Sequence, residues 1–428
     1  MIQQLLKEKK LYWTLLFWVA VGIFTGPLVY VVVPLHLLML HKKGEWLIVL
    51  LGLWLIFTLS DSRQGMFRFA QSVKPILMAL AGVLYFTGND AHKQHGFLTP
   101  FIPFFIIAGW AWFDSPVAMD SLQKTVSYSL LLLVIPWLVS NLLEQDRDSM
   151  LRHLILLGAL VLVIGIVLHF AYPGFVIFKG ERFSGLLGNP NGLGIYSFMF
   201  LCLTTLIFTY HPTLFQRGEK IVVYVIIALS LIWCGSRGGI FSSALFLAGW
   251  FLFRHNVTLG FVVMTLVFAS YQLVTANFVE IVTSMGLQDY FRLDTLETGS
   301  GRLVAREFAW KHIETQYWMG KGFGYTEYLM HKFKDYFLNK GHQGNVHNSY
   351  LTIWLDTGLL GLIAFCWGWL RNFMRAAAFS PLVWAVLFGL LLTTTVESWL
   401  AASLNPFTIQ LVIVLSLLGN GRFYERRG

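Results

Sequence analysis

Apolar residues run along this chain in long blocks separated by short polar turns. The blocks fall at 11–25, 27–40, 45–60, 73–88, 97–113, 124–142, 151–171, 191–210, 219–236, 238–254, 257–276, 347–370, 378–396 and 399–419. A helix that crosses a bilayer needs roughly 20 consecutive apolar residues, so most of these blocks read as membrane spans. Several are short, and the first two form a hairpin broken at Gly26-Pro27. The pattern predicts an all-α polytopic integral membrane protein with about 12 transmembrane helices, within a range of 11–14. Composition agrees. Hydrophobic residues make up 56% of the 428 and charged residues only 12%, against about a quarter charged in a soluble domain.

The polar turns set the orientation. With both termini inside, the basic groups His41-Lys42-Lys43, Arg147 to Arg152, Gln216 to Lys220, Arg254, Arg371 to Arg375 and Arg422 to Arg427 all face the cytoplasm, as the positive-inside rule expects. The net charge of +9 is therefore spread over membrane-flanking turns and does not indicate a nucleic-acid partner. Lys7, Lys9 and Lys10 before the first block have the look of a signal peptide, but later blocks repeat the pattern and no small-residue cleavage site follows. Cys202, Cys234 and Cys366 lie in apolar blocks, so buried thiols are expected, without a disulfide framework or metal spacing.

One stretch breaks the rhythm. Residues 277–346 form a single long polar segment placed outside the cytoplasm, a large periplasmic loop between N-terminal spans (1–276) and C-terminal spans (347–428). It carries Arg292, Arg302, Arg306, Lys311, Lys321, Lys332, Lys334 and Lys340, but long loops translocate largely regardless of charge. A loop of this length without a function of its own is uncommon. Residues 302–318 read as a surface helix on which Arg302 and Arg306, four apart, share a face. Gly320, Gly322 and Gly324 then turn the chain.

Four polar islands fall on the same outer side of this topology. Arg182 to Gly192 is rich in glycine and Asn-Pro and feeds a helix; it is either an anion-binding helix entry or a plain entry turn. Gly235-Ser236-Arg237-Gly238-Gly239 sets an arginine between two apolar blocks, where it faces a polar cavity or snorkels to the interface. Gly299-Ser300-Gly301-Arg302 opens the loop helix, where a guanidinium suits a phosphate or is simply solvated. Val346-His347-Asn348-Ser349-Tyr350 opens the next span. There His347 is a candidate base for a hydroxyl or a helix-start residue, and Asn348 or Ser349 a candidate cap. His92, His95, His331 and His342 read as solvated. Several guanidinium groups and one imidazole at one membrane face suit a diphosphate leaving group and a hydroxyl nucleophile.

On these residues the chain resembles the O-antigen ligase and O-antigen polymerase family of bacterial envelope glycosyltransferases. The resemblance rests on Arg182 to Asn191, Ser236-Arg237-Gly238, Gly299 to Arg302, His347 to Leu351 and Gly358-Leu359-Leu360-Gly361, in that order with the long loop between the second and fourth. It implies an inner-membrane enzyme acting at the periplasmic face, with a glycan on undecaprenyl diphosphate as donor and a glycan or lipid A-core as acceptor. Membrane lipid and a chain-length regulator protein are the further partners it implies. By the resemblance, Arg237 and Arg302 hold the diphosphate with Arg182 as an addition, and His347 is the base. The transfer inverts the anomeric centre and uses neither metal nor cofactor. Glu397-Ser398 and Asn405-Pro406-Phe407 resemble polymerases and tilt the reading from ligase to polymerase, with Glu397 and Asn348 as acceptor-binding or structural residues. The base mechanism predicts falling activity at acid pH. Two other classes compete. A flippase for the same lipid would show repeated halves, which the chain lacks. A scaffold would leave the gathered arginines and histidine unexplained.

Overall fold

The computed structural model describes residues 9–88, 96–178, 182–270, 283–286, 302–340 and 344–425. Within these, every apolar block is helical. The helices are Lys9–Phe24, Val29–Lys42, Trp46–Ser60, Arg68–Thr87, Ile102–Trp112, Ala118–Ala171, Pro190–Tyr210, Arg217–Cys234, Arg237–His255, Val257–Ala269, Ser349–Ala377, Val383–Val396 and Pro406–Leu418. Gly26-Pro27 breaks the first pair, as the sequence predicts, through a short 3-10 turn at Gly26–Leu28. Among the described residues, four helical stretches, Gly65–Thr87, Ala118–Ala171, Pro190–Tyr210 and Ser349–Ala377, are long and apolar enough to cross a membrane by length and composition, and shorter apolar helices accompany them.

Local chemistry explains where helices begin. Asn189, Asn256, Asn348 and Asn405 each stand in extended backbone, and each side-chain oxygen accepts a hydrogen bond from an N–H of the first turn. Such caps satisfy donors that no helical carbonyl reaches. Asp146 does the same inside the 54-residue stretch Ala118–Ala171. Its backbone leaves the helical region (φ −154°, ψ 79°) and its carboxylate accepts from the Ser149 N–H at 3.2 Å. That stretch is therefore two helices, matching the predicted blocks 124–142 and 151–171. The last block differs: residues 399–401 form a 3-10 turn and the helix starts only at Pro406, behind the Asn405 cap.

The chain divides into two compact units, 1–97 with 130–240 and 404–428, and 98–129 with 241–403. In the first unit, Pro190–Tyr210 is almost wholly buried and packs on Arg217–Cys234 and Pro406–Leu418. Gly194 and Gly239 make a close crossing possible: a Cβ on Gly239 would sit 2.7 Å from the Gly194 backbone. The outer face of Arg217–Cys234 is apolar, with Ile221, Val222, Val225 and Ile232 exposed. A helix apolar inside and outside is suited to lipid. Two basic turns assigned above to one side of the membrane, Arg147 to Arg152 and Arg422 to Arg427, meet in this unit. Arg147 donates to the Arg422 carbonyl at 3.2 Å, Arg422 pairs with Glu144, and His211 Nε2 donates to the Phe423 carbonyl at 2.7 Å.

The second unit is built on Ser349–Ala377, against which Ile102–Trp112 and Val383–Val396 pack. The long loop contributes helices Arg302–Thr315, Tyr325–Lys332 and Lys334–Asn339. Ala305, Ala309 and Ile313, spaced at helical intervals, bury one face of the first against Tyr325, Leu329, Phe337, Val346 and Leu355. Cys202 and Cys234 are buried, but Cys366 is exposed, contrary to expectation. It shares an outer helix face with Ile363, Trp367 and Leu370, an apolar face of the kind that suits lipid. The predicted loop residues Arg292 and Gly299-Ser300-Gly301, and His92, His95 and His342, lie outside the described residues; His331 is exposed as expected.

Candidate active site

The second unit brings together three of the predicted residues. Glu397 ends the helix Val383–Val396 in extended backbone (φ −144°, ψ 152°), which turns its side chain out of the helical register. Its carboxylate is shared. Oε1 accepts from Nη2 of Arg302 at 2.8 Å, and Oε2 lies 2.8 Å from Nδ1 of His347. A carboxylate paired with a guanidinium is ionised and only accepts, so Nδ1 carries the proton. In the neutral ring Nε2 then holds the lone pair. All three side chains are partly exposed, Glu397 least at 14%.

His347 has a left-handed backbone (φ 49°), the one such non-glycine among the described residues. A side chain in that region is uncommon and persists where surrounding contacts impose it. Those contacts are visible. The His347 N–H donates to Asn345 Oδ1 at 3.0 Å, and the His347 carbonyl accepts from Nη2 of Arg306 at 3.1 Å. The same Arg306 nitrogen donates to the Thr395 carbonyl at 2.7 Å. Asn348 caps the following helix through the Leu351 N–H at 2.9 Å and donates to the Thr395 carbonyl at 3.2 Å. Its own N–H donates to Ser398 Oγ at 3.1 Å. Ser349 Oγ donates to the Glu397 carbonyl at 2.8 Å. His347 and Glu397 are thus fixed against each other by backbone as well as side chain. Arg306 is a residue the sequence placed on the right face without giving it a role.

The first unit holds Arg182 and Arg237. Phe178 and Arg182 pair across a two-residue antiparallel ladder, and the Arg182 guanidinium donates twice to the Cys234 carbonyl, at 2.9 and 2.7 Å. It closes the end of Arg217–Cys234, while Ser236 Oγ accepts from the Gly239 N–H at 3.3 Å at the start of the next helix. Arg237 is the first residue of that helix, in the region where unsatisfied N–H groups favour an anion. Nearby in the same unit is a cluster the sequence reading passed over. Lys74, inside an apolar helix, donates to Ser60 Oγ at 3.1 Å and to the Leu404 carbonyl at 2.8 Å. Asp61, at the end of Trp46–Ser60, is pushed up to about 6 by burial, against the pull of Lys74 and Arg63. A lysine inside an apolar run was the signal available.

A second buried network lies in the unit with His347. Asp356, fully buried, accepts from the N–H groups of Gly324 and Thr326 at 2.8 and 2.7 Å and from Thr326 Oγ1 at 2.6 Å. Lys124 Nζ lies 3.6 Å from the same carboxylate and 2.8 Å from Glu327. Asp356 precedes a break at Gly358 (φ 75°, ψ 178°). There the Leu359 N–H donates to the Tyr317 carbonyl at 2.9 Å, and the Gly322 N–H to the Asp356 carbonyl at 2.9 Å. This seam fastens the loop to the span that carries His347.

A family model described as O-antigen ligase matches residues 222–366. The matched segment contains Arg237, Arg302, Arg306 and His347, whereas Arg182 and Glu397 lie outside it. The match supports the O-antigen ligase/polymerase family for this chain. No curated protein matches it.

Proposed function

We infer that this member of the O-antigen ligase/polymerase family transfers a glycan from undecaprenyl diphosphate to a sugar hydroxyl. The observation that carries the reading is the single Glu397 carboxylate held by both Arg302 and His347. An imidazole whose Nδ1 is committed to a carboxylate presents Nε2 as a base. A guanidinium beside it suits the forked geometry of a phosphate.

The acceptor hydroxyl attacks the anomeric carbon of the donor sugar from the side opposite the diphosphate. The bond from that carbon to the phosphate oxygen breaks, and the lipid diphosphate leaves with the electron pair. The hydroxyl proton passes to Nε2 of His347, and Glu397 stabilises the imidazolium. Arg302 meets the charge that grows on the leaving group. A diphosphate draws Arg302 from Glu397 because it carries more charge than one carboxylate. The donors of Arg182 serve the Cys234 carbonyl within its own unit. No step calls for a metal ion. In this reading the chain crosses the inner membrane 11–14 times and the loop lies on the periplasmic side, where a lipid diphosphate would emerge.

Ligase and polymerase differ in the acceptor. Glu397 and Asn405 tilted the sequence towards polymerase, but here Glu397 serves Arg302 and His347, and Asn405 caps Pro406–Leu418. Both roles suit either enzyme. A deletion strain separates them: one repeat unit left on lipid A-core means polymerase, and lipid-linked polymer accumulating with a bare core means ligase. The test of the reaction is purified protein in detergent with undecaprenyl-diphosphate glycan and acceptor. A new glycosidic bond is expected, lost in Arg302→Ala. Lipid movement in proteoliposomes without bond formation would instead establish a transporter.

A further inference from the structure

The loop helix Arg302–Thr315 carries a second feature beside the histidine. Arg302, Arg306, Trp310 and Glu314 recur every four residues and so follow one stripe of that helix. At one end of the stripe Arg302 meets Glu397 and Arg306 meets the His347 carbonyl. Further along, Arg306, Glu307, Trp310, Lys311, Glu314 and Leu351 line an open groove of about 460 Å³. From Arg302 to Trp310 is eight residues, or roughly 12 Å along a helix. The groove therefore begins one helical turn from Arg302, at the arginine that holds the His347 carbonyl.

Its floor is a fixed aromatic ring. Trp310 is 40% exposed, yet it stands at 88° to Trp354 with ring centroids 5.4 Å apart. Trp354 is itself tied by its Nε1–H to the Tyr317 carbonyl at 3.0 Å, and the Tyr317 ring packs on it at 5.1 Å. A ring held in this way offers apolar area at little entropic cost on binding. Around it stand the carboxylates Glu307 and Glu314 and the cation Lys311, with Arg306 held to the His347 and Thr395 carbonyls. The two carboxylates on its rim oppose anionic headgroups. The exposed lining is mostly apolar and edged by charged groups, which matches a sugar, whose C–H face stacks on an aromatic ring and whose hydroxyls both donate and accept.

We propose that this groove binds sugar residues of the acceptor glycan and leads its terminal hydroxyl to His347. The proposal rests on the transferase reading above and adds the subsite that recognises the acceptor.

The probe is oligosaccharide released by mild acid from the source organism's own surface polysaccharide. Saturation-transfer NMR on the purified full-length protein should show binding that Trp310→Ala abolishes and Trp310→Phe retains. Trp367→Ala, on an exposed apolar helix face, should leave it unchanged. In turnover, Trp310→Ala should raise the KM for acceptor about tenfold or more, leaving the donor KM unchanged and kcat within roughly threefold, the pattern of lost ground-state binding. A raised donor KM in place of a raised acceptor KM would overturn the assignment. So would unchanged oligosaccharide binding in Trp310→Ala, whether lipid or solvent covers the ring. Quenching of Trp310 emission by brominated lipid, with binding unaltered, would give this face to the membrane. Wild-type protein that binds the oligosaccharide but forms no bond defeats the transferase reading and leaves the groove standing. Transfer with binding indifferent to Trp310 does the reverse.

Discussion

Nδ1 of His347 lies 2.8 Å from Oε2 of Glu397, a residue fifty positions further along the chain. The contact fixes which ring nitrogen carries the proton, and it ties the histidine to a helix end that the loop does not contain. Glu397→Gln keeps the size of the side chain and removes the charge. We expect transfer to fall by about tenfold or more, because the imidazolium loses its counter-charge. Acceptor and donor binding should change little, which steady-state kinetics on the purified variant will show.

Arg302→Lys tests geometry against charge. The substitution retains one positive charge but loses the forked donors that suit a phosphate. The expected outcome is a rise in donor KM and a fall in kcat, together about tenfold or more in kcat/KM, with the acceptor KM unchanged. Restoration of full activity by lysine would mean that the residue supplies only a field.

The reaction as argued uses guanidinium groups where many phosphate enzymes use magnesium. Treatment with EDTA, followed by assay in metal-free buffer, should leave the rate unaltered. Loss of activity that magnesium or manganese restores would require a metal in the mechanism.

Asp356 and Gly358 hold the loop to its span. Asp356→Ala strips three hydrogen bonds and leaves Lys124 facing a buried gap. Losing one partner of a buried pair costs about 3–5 kcal/mol. A Cβ on Gly358 would fall 2.3 Å from the Trp318 carbonyl oxygen. Asp356→Ala and Gly358→Ala should both show a markedly lower thermal midpoint in detergent. Asp356→Leu combined with Lys124→Met should recover part of the loss, since it removes both charges.

Much of this architecture was legible from the chain. Apolar blocks map onto helices because a bilayer demands length and leaves little else to choose. The loop helix was readable from Arg302 and its end from Gly320 to Gly324. The shared carboxylate was not. Glu397 was noted as a possible partner for sugar hydroxyls, and nothing local says that it faces a histidine fifty residues back. Arg306 could be placed on the face of Arg302, but its bond to the His347 carbonyl depends on how the loop packs. Asp356, Lys124 and Lys74 were each visible as a charge in or beside an apolar block, which marks a buried polar contact without naming its partner. Cys366 misled for a related reason: an apolar helix carries no mark of which face meets lipid and which meets protein.

The central claim is that His347, held by Glu397, takes the proton from the attacking hydroxyl. Single-turnover transfer from undecaprenyl-diphosphate glycan by purified His347→Ala, with donor and acceptor saturating, tests it most directly. A fall of about a hundredfold or more with donor binding intact is the result predicted. Transfer at the wild-type rate would contradict it.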